Sequence, residues 1–161
     1  MYQRILLPLD GFDLSHQAIP HAIAVATGIG AEITLFQVID SVARIISETT
    51  PATIEPIPSG ELTVEIAESA VEGQRQAALA NLEAAIAQFV AGGLDAARVT
   101  TEIVEGTASQ AIEEAVERLG CDIVIISSHG RSGIRRVLLG SVADHVARNT
   151  PSAAVLLIRP Q

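Results

Sequence analysis

Short, almost uninterrupted apolar runs alternate with segments of helical period along the whole of this chain. A strand that is apolar at nearly every position must be covered on both faces, and parallel sheets flanked by helices supply that cover. Arg4–Asp10 (RILLPLD), Glu32–Ile39 (EITLFQVI), Asp122–Ser127 and Ala153–Arg159 (AAVLLIR) are runs of this kind, and Arg98–Val104 completes the set. The pattern predicts a five-stranded, doubly wound α/β domain occupying residues 1–161.

The intervening segments carry helix signals. Ser15 is a candidate cap for a helix over 16–29, with Ile19, Ala22, Ile23 and Ala26 on one face. Pro20 lacks a backbone donor, so that helix should kink or start late. Glu61–Ala91 reads as one long helix stopped by Gly92-Gly93, and Ser109–Leu119 and Ser141–Asn149 as two shorter ones. Residues 40–60 carry Pro51, Pro56 and Pro58 without a clear period and read as a long loop. With three Phe, one Tyr and no Trp, the core must be mostly aliphatic.

Composition removes several function classes. No apolar run approaches the roughly 18 residues a membrane span needs. Strand-like residues begin at once, without a leader pattern, so the cytoplasm is the expected compartment. A net charge of −9 speaks against nucleic acid or an anionic membrane as the main partner. All ten basic side chains are arginine, which excludes a Walker A lysine and a Schiff-base lysine. Cys121 is the single cysteine, leaving no disulfide framework and no thiolate cluster, and it reads as a small packing residue.

In open α/β sheets, ligands lie beyond the carboxyl ends of the strands. Three such ends are polar or glycine-rich: Pro8-Leu9-Asp10-Gly11, Val38-Ile39-Asp40 and Ser127-Ser128-His129-Gly130. The last opens a long connection containing Gly130, Gly133 and Gly140, followed by Ser141 at a helix start. Glycines let backbone N–H groups converge on a phosphate, and a helix N-terminus favours an anion. The segment therefore reads as a phosphate cradle, although glycines also suit an unoccupied surface loop. Arg131, Arg135 and Arg136 could offset phosphate charge or be solvated surface. Ser141 and Asp144 have the spacing of a capping box, which would compete with a phosphate for the same donors.

Chemistry-bearing side chains are sparse. His129 sits at a strand end without an adjacent orienting carboxylate, and reads as a turn histidine near the ligand. His16, His21 and His145 lack metal-ligand spacing. Neither Ser128 nor Ser141 stands in a Gly-x-Ser-x-Gly elbow. Asp10 and Asp13 could meet a ribose hydroxyl or a metal, or simply start a turn or cap a helix, with Asp10 the better placed.

Ser127-x2-Gly130-x9-Gly140-Ser141, Pro8-Leu9-Asp10-Gly11, Val38-Ile39-Asp40 and the closing apolar strand together resemble the universal stress protein family, in its ATP-binding branch. The resemblance extends over nearly the whole chain. It implies a Rossmann-like sheet of order 3-2-1-4-5 and binding of ATP or another adenine nucleotide, with Mg held mainly by the phosphates. Pro8, Leu9 and Asp10 match the residues that line adenosine, and Val38 the residue whose backbone meets the adenine edge. Gly130, Gly140, Ser141 and Val142 match the phosphate contacts, with Ser127, Ser128, His129, Arg131 and Gly133 in the same loop. A homodimer through Ala154–Ile158 is also implied, and a regulatory protein partner is compatible with it.

The family's first glycine is Ser127 here. Its Cβ demands room, while its hydroxyl offers a ligand contact. Without a convincing catalytic dyad, the expected function is an ATP-binding regulatory stress-response protein. The alternatives are a slow ATPase and a dimeric interaction module that no longer binds nucleotide.

Overall fold

The computed structural model describes residues 2–49, 60–128 and 139–159, without the side chains of residues 49 and 60–62. Its five strands are β1 (Arg4–Leu9), β2 (Glu32–Ile39), β3 (Val99–Glu105), β4 (Ile123–Ser127) and β5 (Ala154–Ile158). They form one sheet of order β3-β2-β1-β4-β5, and every pairing is parallel. Both the doubly wound class and the expected order 3-2-1-4-5 are met. β1 lies centrally, with Ile5 opposite Ile33 on one side and Ile123 on the other.

The side-chain period of two explains the apolar runs. Ile5, Leu7, Leu9, Ile33, Leu35, Ile123 and Ile125 join a core with α2 (Ile19–Ile29) and α4 (Gly60–Ala91), which contribute Ile19, Ala22, Ala26, Leu82 and Phe89. Leu6, Phe36, Val124 and Ile126 face the other way, onto Ile112 and Val116 of α5 (Ala108–Leu119) and Val146 of α6 (Ser141–Asn149). Leu6 and Val124 would be solvent-exposed if the α5–α6 layer were missing.

Local structure departs from expectation in two places. The first helical segment is divided: α1 covers Asp13–His16, and α2 starts at Ile19 with Pro20 in its first turn. Proline is tolerated there because those N–H groups lack helical partners anyway, so the late start is met. Ser15 is not the cap. Its hydroxyl donates to the Phe12 carbonyl at 2.9 Å from inside α1. The expected loop over 40–60 also contains a helix, α3 (Val42–Thr49), whose Val42 and Ile45 pack beside buried Ile39 and Val71.

Gly92, just after α4, permits a close approach to α2. A Cβ there would stand 2.6 Å from Ile23 Cγ2 and 3.3 Å from the Gln88 carbonyl. Isoleucine is stiff at χ1 and cannot simply swing aside. Gly92→Ala is therefore expected to lower unfolding free energy by about 1–2 kcal/mol in urea titrations, as overpacked sites do. Repeating it in an Ile23→Ala background should remove most of that cost.

Candidate functional site

The strand order reverses between β1 and β4, since β2 and β3 extend one way and β5 the other. A cavity of about 670 Å³ opens there, at the carboxyl ends of the strands. That volume is typical of small-molecule sites. Its walls combine Pro8, Leu9 and Asp10 from the end of β1, Val38 and Asp40 from β2, Ser127 and Ser128 from β4, and Gly140, Ser141 and Val142 at the start of α6.

Nine of the expected ligand-binding positions thus share one cavity: Pro8, Leu9, Asp10, Val38, Ser127, Ser128, Gly140, Ser141 and Val142. His129, Gly130, Arg131 and Gly133 lie outside the described residues, as do Arg135 and Arg136.

Asp10 is held by its own turn. Its Oδ1 accepts from the Phe12 N–H at 3.0 Å, while its N–H donates to Ser15 Oγ at 3.2 Å. Such Asx geometry fixes the carboxylate where the chain leaves the sheet. Oδ2 makes no hydrogen bond among the described residues, which leaves a charged acceptor for a hydroxyl donor.

The α6 N-terminus is open. Gly140 is its cap residue, and no side chain there accepts from the first-turn N–H groups. The expected Ser141–Asp144 capping box does not form. Ser141 is the first helical residue rather than the cap, and Asp144 turns to Arg148, one turn on, at 2.9 Å. The ion pair takes the carboxylate away from the helix start, so the amides of Ser141 and Val142 remain available to an anion.

The two ends of the long connection are joined at its base. Gly140 N–H donates to the Ser128 carbonyl at 2.7 Å, and Ser128 N–H to the Ile158 carbonyl at 2.7 Å. These bonds tie the end of β4 and the start of α6 to the last strand. Ser127 and Ser128 are both buried.

The cavity has a second rim that the sequence reading missed: Gly106 and Thr107, which join β3 to α5, and Ala108 and Ser109 at the start of α5. Arg44 of α3 and His145 of α6 also line it. A glycine directly after the third strand, followed by helix-capping chemistry, is the same strand-end signal used elsewhere. Its position after the sheet's edge strand made it inconspicuous. Gly106 donates its N–H to the Ile39 carbonyl at 3.0 Å and has φ of +146°.

Other candidates have structural partners. His16 Nε2–H donates to Asn81 Oδ1 at 2.6 Å, and Asn81 Nδ2 donates to buried Gln37 at 2.7 Å, a chain linking α1, α4 and β2. His145 Nε2–H meets Glu113 at 2.8 Å. Asp13 is exposed in the first turn of α1 and does not line the cavity. Cys121 is buried at the opposite end of β4, and burial pushes its thiol up to about 11, so it stays protonated and unreactive at neutral pH. Among the described residues, no group of three His, Cys, Asp or Glu side chains could hold a metal ion, and no helix is long and apolar enough to cross a membrane.

Comparison with known proteins agrees with this arrangement. The model of the universal stress protein family matches residues 1–159. Universal stress protein MJ0531 of Methanocaldococcus jannaschii is 27% identical over 161 residues, covering 100% of this chain and 85% of its own. The solved structure of MJ0577, from the same organism, superposes with a TM-score of 0.80 at 26% identity, covering 100% of this chain and 98% of its own. A more distant neighbour at 22% identity and TM-score 0.66, covering 98% and 96% of the two chains, is a universal stress protein in complex with cAMP.

The positive φ of Gly106 sets a test of the second rim. A Cβ there would meet nothing within 4 Å, so the cost of Gly106→Ala comes from the backbone alone. Strain of this kind amounts to about 1–3 kcal/mol. Chemical denaturation should show a loss in that range.

Proposed function

The chain belongs to the universal stress protein family, and from that premise we propose that it is an adenine-nucleotide-binding regulatory protein of the stress response that acts as a homodimer. The observation that carries this reading is the juxtaposition, in one cavity, of the open α6 N-terminus and the Asp10 carboxylate. The helix start and the serines beside it suit phosphate oxygens, while Asp10 suits the ribose hydroxyls one strand away. Pro8, Leu9 and Val38 supply apolar wall along the rest of the ligand. The cAMP complex of the distant neighbour supports an adenine nucleotide as the ligand class.

ATP is the proposed ligand, with Mg held by its phosphates. Ser141, Val142 and Gly140 would receive the phosphates, assisted by His129, Gly130, Arg131 and Gly133 of the same connection. The role proposed for this chain is binding and signalling rather than chemistry.

Dimerisation through β5 has independent physical support. Among the described residues β5 pairs only with β4, so its outer edge carries backbone groups without a strand partner there. Leu156 and Leu157, on opposite faces of it, are 40% and 37% exposed. Pairing with a second copy would satisfy the edge and cover both leucines. The expected location is the cytoplasm.

Protein purified without added nucleotide and then denatured should release an adenine nucleotide. Calorimetry should detect ATP binding, weakened about tenfold by Asp10→Ala, since a hydrogen bond to a charged group contributes about 1.5–3 kcal/mol. An empty protein that binds no ATP would refute the proposal. Ser127 favours one second reading, a dimeric module that no longer binds nucleotide. A large gain of ATP affinity in Ser127→Gly would establish that the serine obstructs the cavity. Leu157→Arg should shift the sedimenting species from dimer to monomer.

A further inference from the structure

We infer that Arg44 is a base-recognition residue, whose guanidinium plane covers the purine at the β2–β3 end of the cavity. The inference rests on the nucleotide reading above. It begins with spacing: β2 stands two strands from β4 across β1, a distance of about 9.5 Å. A ligand whose anionic end meets Ser128 and the α6 start therefore reaches the β2–β3 end with its other end. There it finds Val38, Asp40, Arg44 and the rim from Gly106 to Ser109.

Arg44 is the one arginine lining the cavity among the described residues. It is engaged by two carboxylates through the same nitrogen, Nε to Glu48 at 2.9 Å and to Asp40 at 3.4 Å. Two acidic partners leave the local charge negative, which repels a phosphate and makes a phosphate-binding role unfavourable. A hydrogen bond to a guanidinium lies in its plane, so the one from Nε to Glu48 leaves the faces of the group for stacking on a planar base.

Asp40 is itself positioned by α4. Its N–H donates to Gln74 Oε1 at 2.9 Å, and Gln74 Nε2 donates to its Oδ2 at 3.2 Å. Helix α4 thus positions Asp40, whose carboxylate pairs with Arg44 on the cavity wall. Two aromatic rings line the cavity among the described residues: Phe36, almost fully buried among Leu6, Ile112 and Val116, and the His145 imidazole of α6, which meets Glu113, so the Arg44 guanidinium is the exposed planar cation at the β2–β3 end.

Calorimetry with ATP and with adenosine separates the roles. Arg44→Ala should weaken both ligands by a similar factor of about 3–10, the range of a partly exposed cation–π contact. Arg44→Lys should lose nearly as much, because an ammonium keeps the charge but lacks the plane. Loss confined to ATP would make Arg44 a phosphate contact and overturn the inference, and so would full rescue by lysine. Wild-type binding with an unchanged Arg44→Ala variant would overturn the Arg44 role alone. A wild type that binds neither ligand would overturn the nucleotide reading and this role together. Thermal unfolding of Arg44→Ala should match wild type, since the side chain is exposed.

Discussion

Everything in this structure follows from the burial of β1 and β4 on both faces. Leu6 and Leu7, adjacent in sequence, are each fully buried in opposite cores. A sheet can satisfy both only with a layer of helices on each side, and parallel strands supply those helices as crossovers. Each strand then ends at the same edge, where its connection turns back into a helix. Cavity-lining residues from distant parts of the chain gather there because the core leaves them no other exit.

The sheet was legible for the same reason. Continuous runs such as RILLPL have no stable alternative in a globular chain, and their boundaries fell within a residue or two of the strands. The cavity was legible where strand ends carried unusual residues, as at Asp10 and Ser127-Ser128. What escaped was decided by competition among side chains. Ser141 and Asp144 have capping-box spacing, yet Arg148 takes the carboxylate. Ser15 has the chemistry of a cap, but it closes a turn with Asp10 and Phe12 instead. Sequence spacing shows which pairs are possible, and geometry decides which one wins.

Helix α3 illustrates a different limit. Its eight residues are too few for a periodic signal to stand out beside the prolines that follow. It is stabilised from outside, by Val42 and Ile45 packing near Ile39 and Val71, and locally by Arg44 and Glu48 one turn apart. A short helix that depends on tertiary contacts is difficult to read from its own residues. That it then contributes Arg44 to the cavity means that a segment weakly specified by sequence stands beside a strongly specified sheet.

The hydrogen bond from Gly140 N–H to the Ser128 carbonyl joins the two ends of the connection between them and makes those ends part of the scaffold. A loop anchored in this way can change length or composition without transmitting the change to β4 or α6. Each doubling of its length costs only about 0.6 kcal/mol in closure entropy. The connection can thus diversify on a fixed base, separately from the stability of the domain that presents it.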